Sequence, residues 1–270
     1  MNNTHTIDDF VKHNSPIVLN IPHASRKIPS DIRCSIKLSD SELEIELNKM
    51  TDSYTDILFI PDSTNVQTVV FPISRLVVDP ERFLDDNQEI MAKHGMGVIY
   101  TRTADGRKLR DQPTVREREG LINRYYRPHH KKLEDCIFDC FQKFGRCIII
   151  DCHSFPSIPL PYELDQSYNR PDICIGVDDF HSPNWLVNRI RNEFEKFGYT
   201  TTINKPFSGT IVPMRYYRKD KAVLSVMIEV NRRLYMDESS GEKISAFNSI
   251  KRHLSMVVNK IHSLSIKYGS

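Results

Sequence analysis

Four short apolar runs, each bounded by proline, glycine or polar residues, limit what this chain can fold into. They are IVLNIPHAS, reaching His23; VQTVVFPISR, reaching Arg75; CIIIDCHS, reaching His153; and VLSVMIEVNR, carrying Glu229. Clusters of Val and Ile of this length read as buried strands rather than helices. In an open α/β sheet, ligands bind beyond the carboxyl ends of parallel strands, so residues emitted there by different strands converge. Two histidines, carboxylates and an arginine in such places point to a hydrolytic metal site.

The joints between helices and strands agree with that sheet. From His129 to Phe144 the spacing is helical, with Pro128 suited to the helix start and Gly145 supplying a stop before CIIID. The pattern recurs at Ser182 and Pro183, followed by Leu186, Ile190, Phe194 and Phe197, then Gly198 and YTTTIN. Strand, helix, glycine, strand is the grammar of βαβ units and a mainly parallel sheet covered by helices. A last helix is expected from Gly241 to Ile266, with Ile244, Phe247, Ile250, Leu254, Val258 and Ile261 on one stripe. Two long polar connections, Gly95 to Gly120 and Phe155 to Asp172, adjoin the strand ends and are expected to shape a site.

At 270 residues the chain suits one α/β domain spanning 1–270, and no second core is visible. Its formal charge is only +2 and no block of like charges occurs, which argues against a nucleic-acid footprint. The N-terminal MNNTHTIDDFVKHNS has neither a basic nor an apolar leader region, and no run approaches a membrane span. A soluble, cytoplasmic protein is the resulting expectation; the oligomeric state is left open. The six cysteines contain no CxxC pair, against a zinc ribbon, and read as buried hydrophobes. Cys152 is set aside as a nucleophile because strand alternation points it away from His153.

A catalytic zinc takes three protein ligands and keeps a position open. His23 and His153 supply two, and MTDSYTDILF offers Asp52 and Asp56, four apart and on one face if the segment is helical. One aspartate could bind metal while the other orients a ligand; alternatively Asp52 caps the helix. Glu229 is the sharpest acid/base candidate, because a carboxylate inside SVMIEV is costly to bury unless it is paired. The structural alternative is an ion pair with Arg232 or Arg233.

Together, NIPHAS, TDSYTD, SRLVVDPERF, DCHS and MIEVNRRLYM closely resemble the N-formylglutamate amidohydrolase family, from about Ile17 to Asp237. The resemblance implies a three-layer α/β/α sandwich with a central mixed sheet, similar to zinc-dependent exopeptidases and peptidoglycan amidases. It implies Zn2+ held by His23, by Asp56 or Asp52, and by His153, with Glu229 as general acid/base. It further implies release of formate from N-formyl-L-glutamate, in one route of histidine degradation, with a small-molecule acyl amino acid as partner. Another peptide-like amide, or a binding protein that has lost hydrolysis, is the competing expectation.

Carboxylates on such a substrate call for arginine, whose planar fork pairs them bidentately. Arg75, Arg82, Arg102 and Arg232 are the candidates by their places at strand ends, and Asn231 could add a hydrogen bond. His129 and His130 are expected to cap or solvate their helix, and PFSGT at 206–210 is either a substrate-side turn or an ordinary loop.

Overall fold

The computed structural model describes residues 14–63 and 65–267, so most of the N-terminal segment lies outside it. Six strands, β1 (Ile17–Ile21), β2 (Gln67–Val70), β3 (Cys147–Phe155), β4 (Ile173–Gly176), β5 (Thr201–Ile203) and β6 (Val223–Asn231), form one sheet. Their order is β2-β1-β3-β6-β4-β5, and every neighbouring pair is parallel except β4 against β6. The mainly parallel mixed sheet is therefore as the apolar runs imply.

Alternation along the strands sorts the core into two faces. Ile17, Leu19, Ile21, Ile148, Ile150, Cys152, Val226, Ile228 and Val230 pack with Leu186, Ile190, Phe194, Leu254, Val258 and Ile261. That face is covered by α6 (Asn184–Lys196) and α7 (Phe247–Lys267). Val18, Val69, Cys147, Ile149 and Val223 pack with Leu133, Ile137 and Cys140 of α5 (Arg127–Phe144) on the other. The intervening helices are α1 (Ser30–Arg33), α2 (Asp40–Met50), α3 (Thr55–Leu58) and α4 (Val115–Leu121). Helices on both faces make the three layers. Pro128 sits in the first turn of α5, and Gly145 closes it at φ 67°, a left-handed backbone that glycine adopts without a Cβ clash.

Several local expectations are corrected. β2 stops at Val70, so Arg75 lies in an irregular turn rather than on a strand end. GVIYT, which leads into Arg102, forms no strand, so Arg102 stands at no strand end, although Val98 and Tyr100 are buried. The connection from Gly95 ends early: Thr114 caps α4 with a reciprocal Glu117 contact, and a π-helical turn, Ile122–Tyr126, leads into α5. The last helix begins at Phe247, six residues later than the periodicity suggests, because Met236 and Lys243 bridge across a turn first. Among the described residues no helix is long and apolar enough to cross a membrane.

The same alternation places the polar residues. Asp151, His153 and Glu229 share the α5 face, and His153 stands in register with Glu229 on the adjacent strand. Cys152 points into the opposite core, as its place between Asp151 and His153 requires. α5 covers only the amino-terminal part of this face, leaving the carboxyl ends of β3 and β6 open to a cavity.

Candidate active site

A cavity of about 340 Å³ opens over these ends, lined among others by His23, Asp52, Arg75, Arg82, His153, Glu229 and Arg232. At its base His23 Nδ1 lies 3.3 Å from His153 Nδ1. Asp52 Oδ2 lies 3.5 Å from the first of these and 3.1 Å from the second. Three atoms each about 2.0–2.1 Å from a tetrahedral zinc would be roughly 3.3 Å apart. The triangle fits that edge length.

Protonation supports the fit. His23 Nε2 is 2.9 Å from Asp79 Oδ1, and Asp79, though buried, is held well below the carboxylate range by Arg75, His23 and Arg82. An ionised Asp79 only accepts, so Nε2 of His23 carries the proton and Nδ1 presents a lone pair. His153 Nε2 lies 3.1 Å from Asp151 Oδ1 and 3.6 Å from Glu81 Oε2, close enough for charge attraction though not in hydrogen-bonding geometry, and its Nδ1 faces the triangle. Burial alone would lower the pKa of His153, yet Asp151, Asp52 and Glu81 raise it well above the imidazole range. Burial would likewise raise Asp52, but His153, His23 and Arg232 hold it well below its ordinary value. The carboxylates around His153 thus draw positive charge to this point, supplied by a proton on its Nδ1 facing Asp52 Oδ2; a divalent cation held by the three atoms would take that proton's place.

The surrounding residues fix both rings. Asn20 Nδ2 donates to Glu81 Oε1 at 2.8 Å and to Asp151 Oδ1 at 2.9 Å, and its Oδ1 accepts from His129 Nε2 at 3.0 Å. Burial pushes His129 down to about 3, so it stays a neutral donor. His130 Nε2 donates to the Pro80 carbonyl at 2.8 Å. Both histidines therefore brace the site rather than cap their helix. The backbone is tied as well, since Asp52 N–H donates to the His23 carbonyl at 3.0 Å.

Glu229 is almost fully buried, and among the described residues its Oε2 has no hydrogen-bond partner. Burial pushes its carboxyl up to about 8. Neither expected ion pair forms, because Arg232 pairs with Asp52 at 2.9 Å and Arg233 with Asp172 at 2.6 Å. Neighbouring strands lie about 4.8 Å apart, so in-register Glu229 stands beside His153.

The two aspartates separate. Asp52 precedes α3, and Tyr54 between them adopts a left-handed φ of 68°, steadied by its hydroxyl donating to the Gly241 carbonyl at 2.8 Å. Hence Asp52 and Asp56 do not share a helix face; Asp56 sits half-buried on α3, outside the triangle and the cavity lining. Arg75 binds Asp79 Oδ2 through Nη2 at 2.7 Å and touches Tyr100 Oη through Nε at 3.2 Å. Arg102 is exposed beside Gly106 and does not line the cavity. Asn231 is fully buried at the end of β6, donating to the Pro171 carbonyl and accepting from Arg233 N–H, also outside the lining. PFSGT does contribute, since Pro206, Phe207 and Ser208 form one wall. That turn closes against Gly176, where a Cβ would overlap the Gly209 carbonyl oxygen.

Arg232 is buried against Asp52, with Nη1 donating to the Lys49 carbonyl at 2.6 Å and Nε to Ser154 Oγ at 3.2 Å. Arg232→Met would remove one of the three charge partners of Asp52, leaving His153 and His23. A destabilisation of about 1–3 kcal/mol is expected, read from urea unfolding at neutral pH. An unchanged midpoint would show that Asp52 does not depend on this partner.

Asp79, Glu81, Asn20 and Asp151 are site residues that the sequence motifs alone do not mark. Asp151 was within reach, because it lies two residues before His153 on the same strand face. Asn20 stands out as an amide inside IVLNI. Asp79 offered little, being one carboxylate in a proline-containing turn.

With this geometry in place, comparisons with known proteins converge. The family model described as N-formylglutamate amidohydrolase matches residues 15–236. N-formylglutamate deformylase of Pseudomonas putida is 24% identical over 234 residues, 83% of each chain. The crystal structure of N-formylglutamate amidohydrolase from Ralstonia eutropha JMP134 superposes with a TM-score of 0.81 at 26% identity, covering 94% of this chain and 95% of that one. A gene product of Agrobacterium tumefaciens, at 17% identity and a TM-score of 0.61 over 92% of each chain, shares the fold. A family match over most of the sequence, on a sheet that carries its histidines and glutamate into one cavity, places this chain in the N-formylglutamate amidohydrolase family.

Proposed function

We propose that the protein is a zinc-dependent amidohydrolase that cleaves the amide of an N-acyl amino acid, N-formyl-L-glutamate foremost, to formate and L-glutamate. The observation that carries this reading is the triangle of His23 Nδ1, His153 Nδ1 and Asp52 Oδ2 beside an unpaired, buried Glu229. Family membership and the names of the relatives supply the substrate.

His23, Asp52 and His153 would hold the metal, which when bound polarises an amide carbonyl and acidifies a water. Asp79 keeps the His23 imidazole in the tautomer that turns Nδ1 inward, and the Asp151 carboxylate faces Nε2 of His153. Glu229 takes the proton of the attacking water and returns it to the leaving nitrogen, a transfer that needs a carboxylate whose affinity for protons is raised toward neutrality. Burial does this here. A cation on the adjoining triangle would draw the value down again, which favours the ionised base at neutral pH.

The test is formate release from N-formyl-L-glutamate, set beside N-formyl-L-methionine, N-acetyl-L-glutamate scored by free amine, and a short peptide. Zinc-loaded protein is expected to act first on N-formyl-L-glutamate. Preference for the peptide would move the reading to another amide, and inertness toward the whole panel would reject hydrolysis.

A further inference from the structure

Three guanidinium groups line the cavity, and they differ in what their donors already hold. Arg232 is tied to Asp52, Lys49 and Ser154. Arg75 is tied to Asp79 and Tyr100. Among the described residues the side chain of Arg82 makes no hydrogen bond. Its buried Nε finds no partner there, and its nearest carboxylates are Asp79 Oδ2 at 3.5 Å and Glu89 Oε1 at 3.8 Å.

Neither of those carboxylates is free to turn toward it. Asp79 Oδ2 already accepts from Arg75 at 2.7 Å and from the Tyr100 hydroxyl at 2.5 Å. Glu89 Oε1 accepts from Met91 N–H at 2.9 Å, and its Oε2 from Phe83 N–H at 3.1 Å. A guanidinium has five N–H donors in a fixed fork and no acceptor, so one held in a partly dry cavity wants an oxygen pair from outside. Its distance from the triangle is set through one residue: Asp79 holds His23 by Oδ1 and adjoins Arg82 by Oδ2. Lys49 also lines the cavity, but an ammonium is a point charge and cannot make the forked contact.

We infer that Arg82 is the group that receives a carboxylate of the substrate, while Arg75 is a positioning residue that holds Asp79. This rests on the amide-hydrolase reading and adds the receptor to it. It also revises the sequence-based expectation that Arg75 binds the substrate carboxylate.

The test compares wild type, Arg82→Ala, Arg82→Lys and, as a control outside the cavity, Arg102→Ala. Substrates are N-formyl-L-glutamate, N-formyl-L-glutamine and the α-amide of N-formyl-L-glutamate; calorimetric binding of L-glutamate and zinc content are read alongside. Arg82→Ala is expected to lower kcat/KM for N-formyl-L-glutamate by about ten- to a hundredfold and to erase the preference for one free carboxylate over its amide. Glutamate binding should weaken by a similar factor with zinc retained, Arg82→Lys should recover part of the loss, and Arg102→Ala should match wild type. The assignment is overturned if both Arg82 variants bind glutamate and discriminate the amides as wild type does, or if wild type does not bind glutamate. Arg82-dependent glutamate binding without any hydrolysis would instead overturn the amide-hydrolase reading and leave the receptor standing.

Discussion

Replacing Glu229 with glutamine is expected to leave the metal in place and to lower kcat by about a hundredfold or more, the usual contribution of a positioned acid/base group. The substitution keeps the shape of a side chain that is 7% exposed within β6. It removes only the ability to accept a proton. No arginine depends on this carboxylate, since Arg232 and Arg233 pair with Asp52 and Asp172, so folding should survive. Steady-state kinetics with zinc quantified on the same samples gives the answer. Wild-type turnover in a zinc-replete Glu229→Gln protein would remove Glu229 from the chemistry.

The second large effect is on metal binding, and it should be graded. His153→Ala deletes one of three donors and opens a gap between β3 and the cavity, so zinc affinity should fall by far more than loss of an outer partner would bring. Asp79→Asn keeps the packing around His23 Nε2 but weakens its hold on the tautomer, and such changes typically reduce affinity about ten- to a hundredfold. Competition with a chromophoric chelator measures both. Equal affinities in the two variants would mean that His153 is not a donor, and stoichiometric zinc in a His23→Ala/His153→Ala double variant would dismiss the triangle altogether.

What the residues disclosed in advance followed from short-range physics. Val and Ile runs marked β1, β3 and β6, and the Pro128 and Gly145 joint bounded α5 because those residues act on their own backbone. Alternation along β3 separated Cys152 from His153, and the cost of burying a lone carboxylate picked out Glu229. The hidden part depends on the chain's return to itself. His23 and Asp79 are 56 residues apart, and Asn20 and His129 are 109 apart, so no local pattern joins them. The choice between Asp52 and Asp56 turned on Tyr54, whose left-handed backbone is sustained by a hydroxyl contact 187 residues away. Arg75 and Arg82 look alike in sequence, and only their partners distinguish a brace from an open fork.

Formate release from N-formyl-L-glutamate during zinc titration of chelator-stripped protein tests the central claim most directly. The account predicts negligible release without metal and a linear rise to a plateau at about one zinc per chain, as three ligands around one ion require. Full activity in the stripped protein, or no activity at any zinc level, would contradict it.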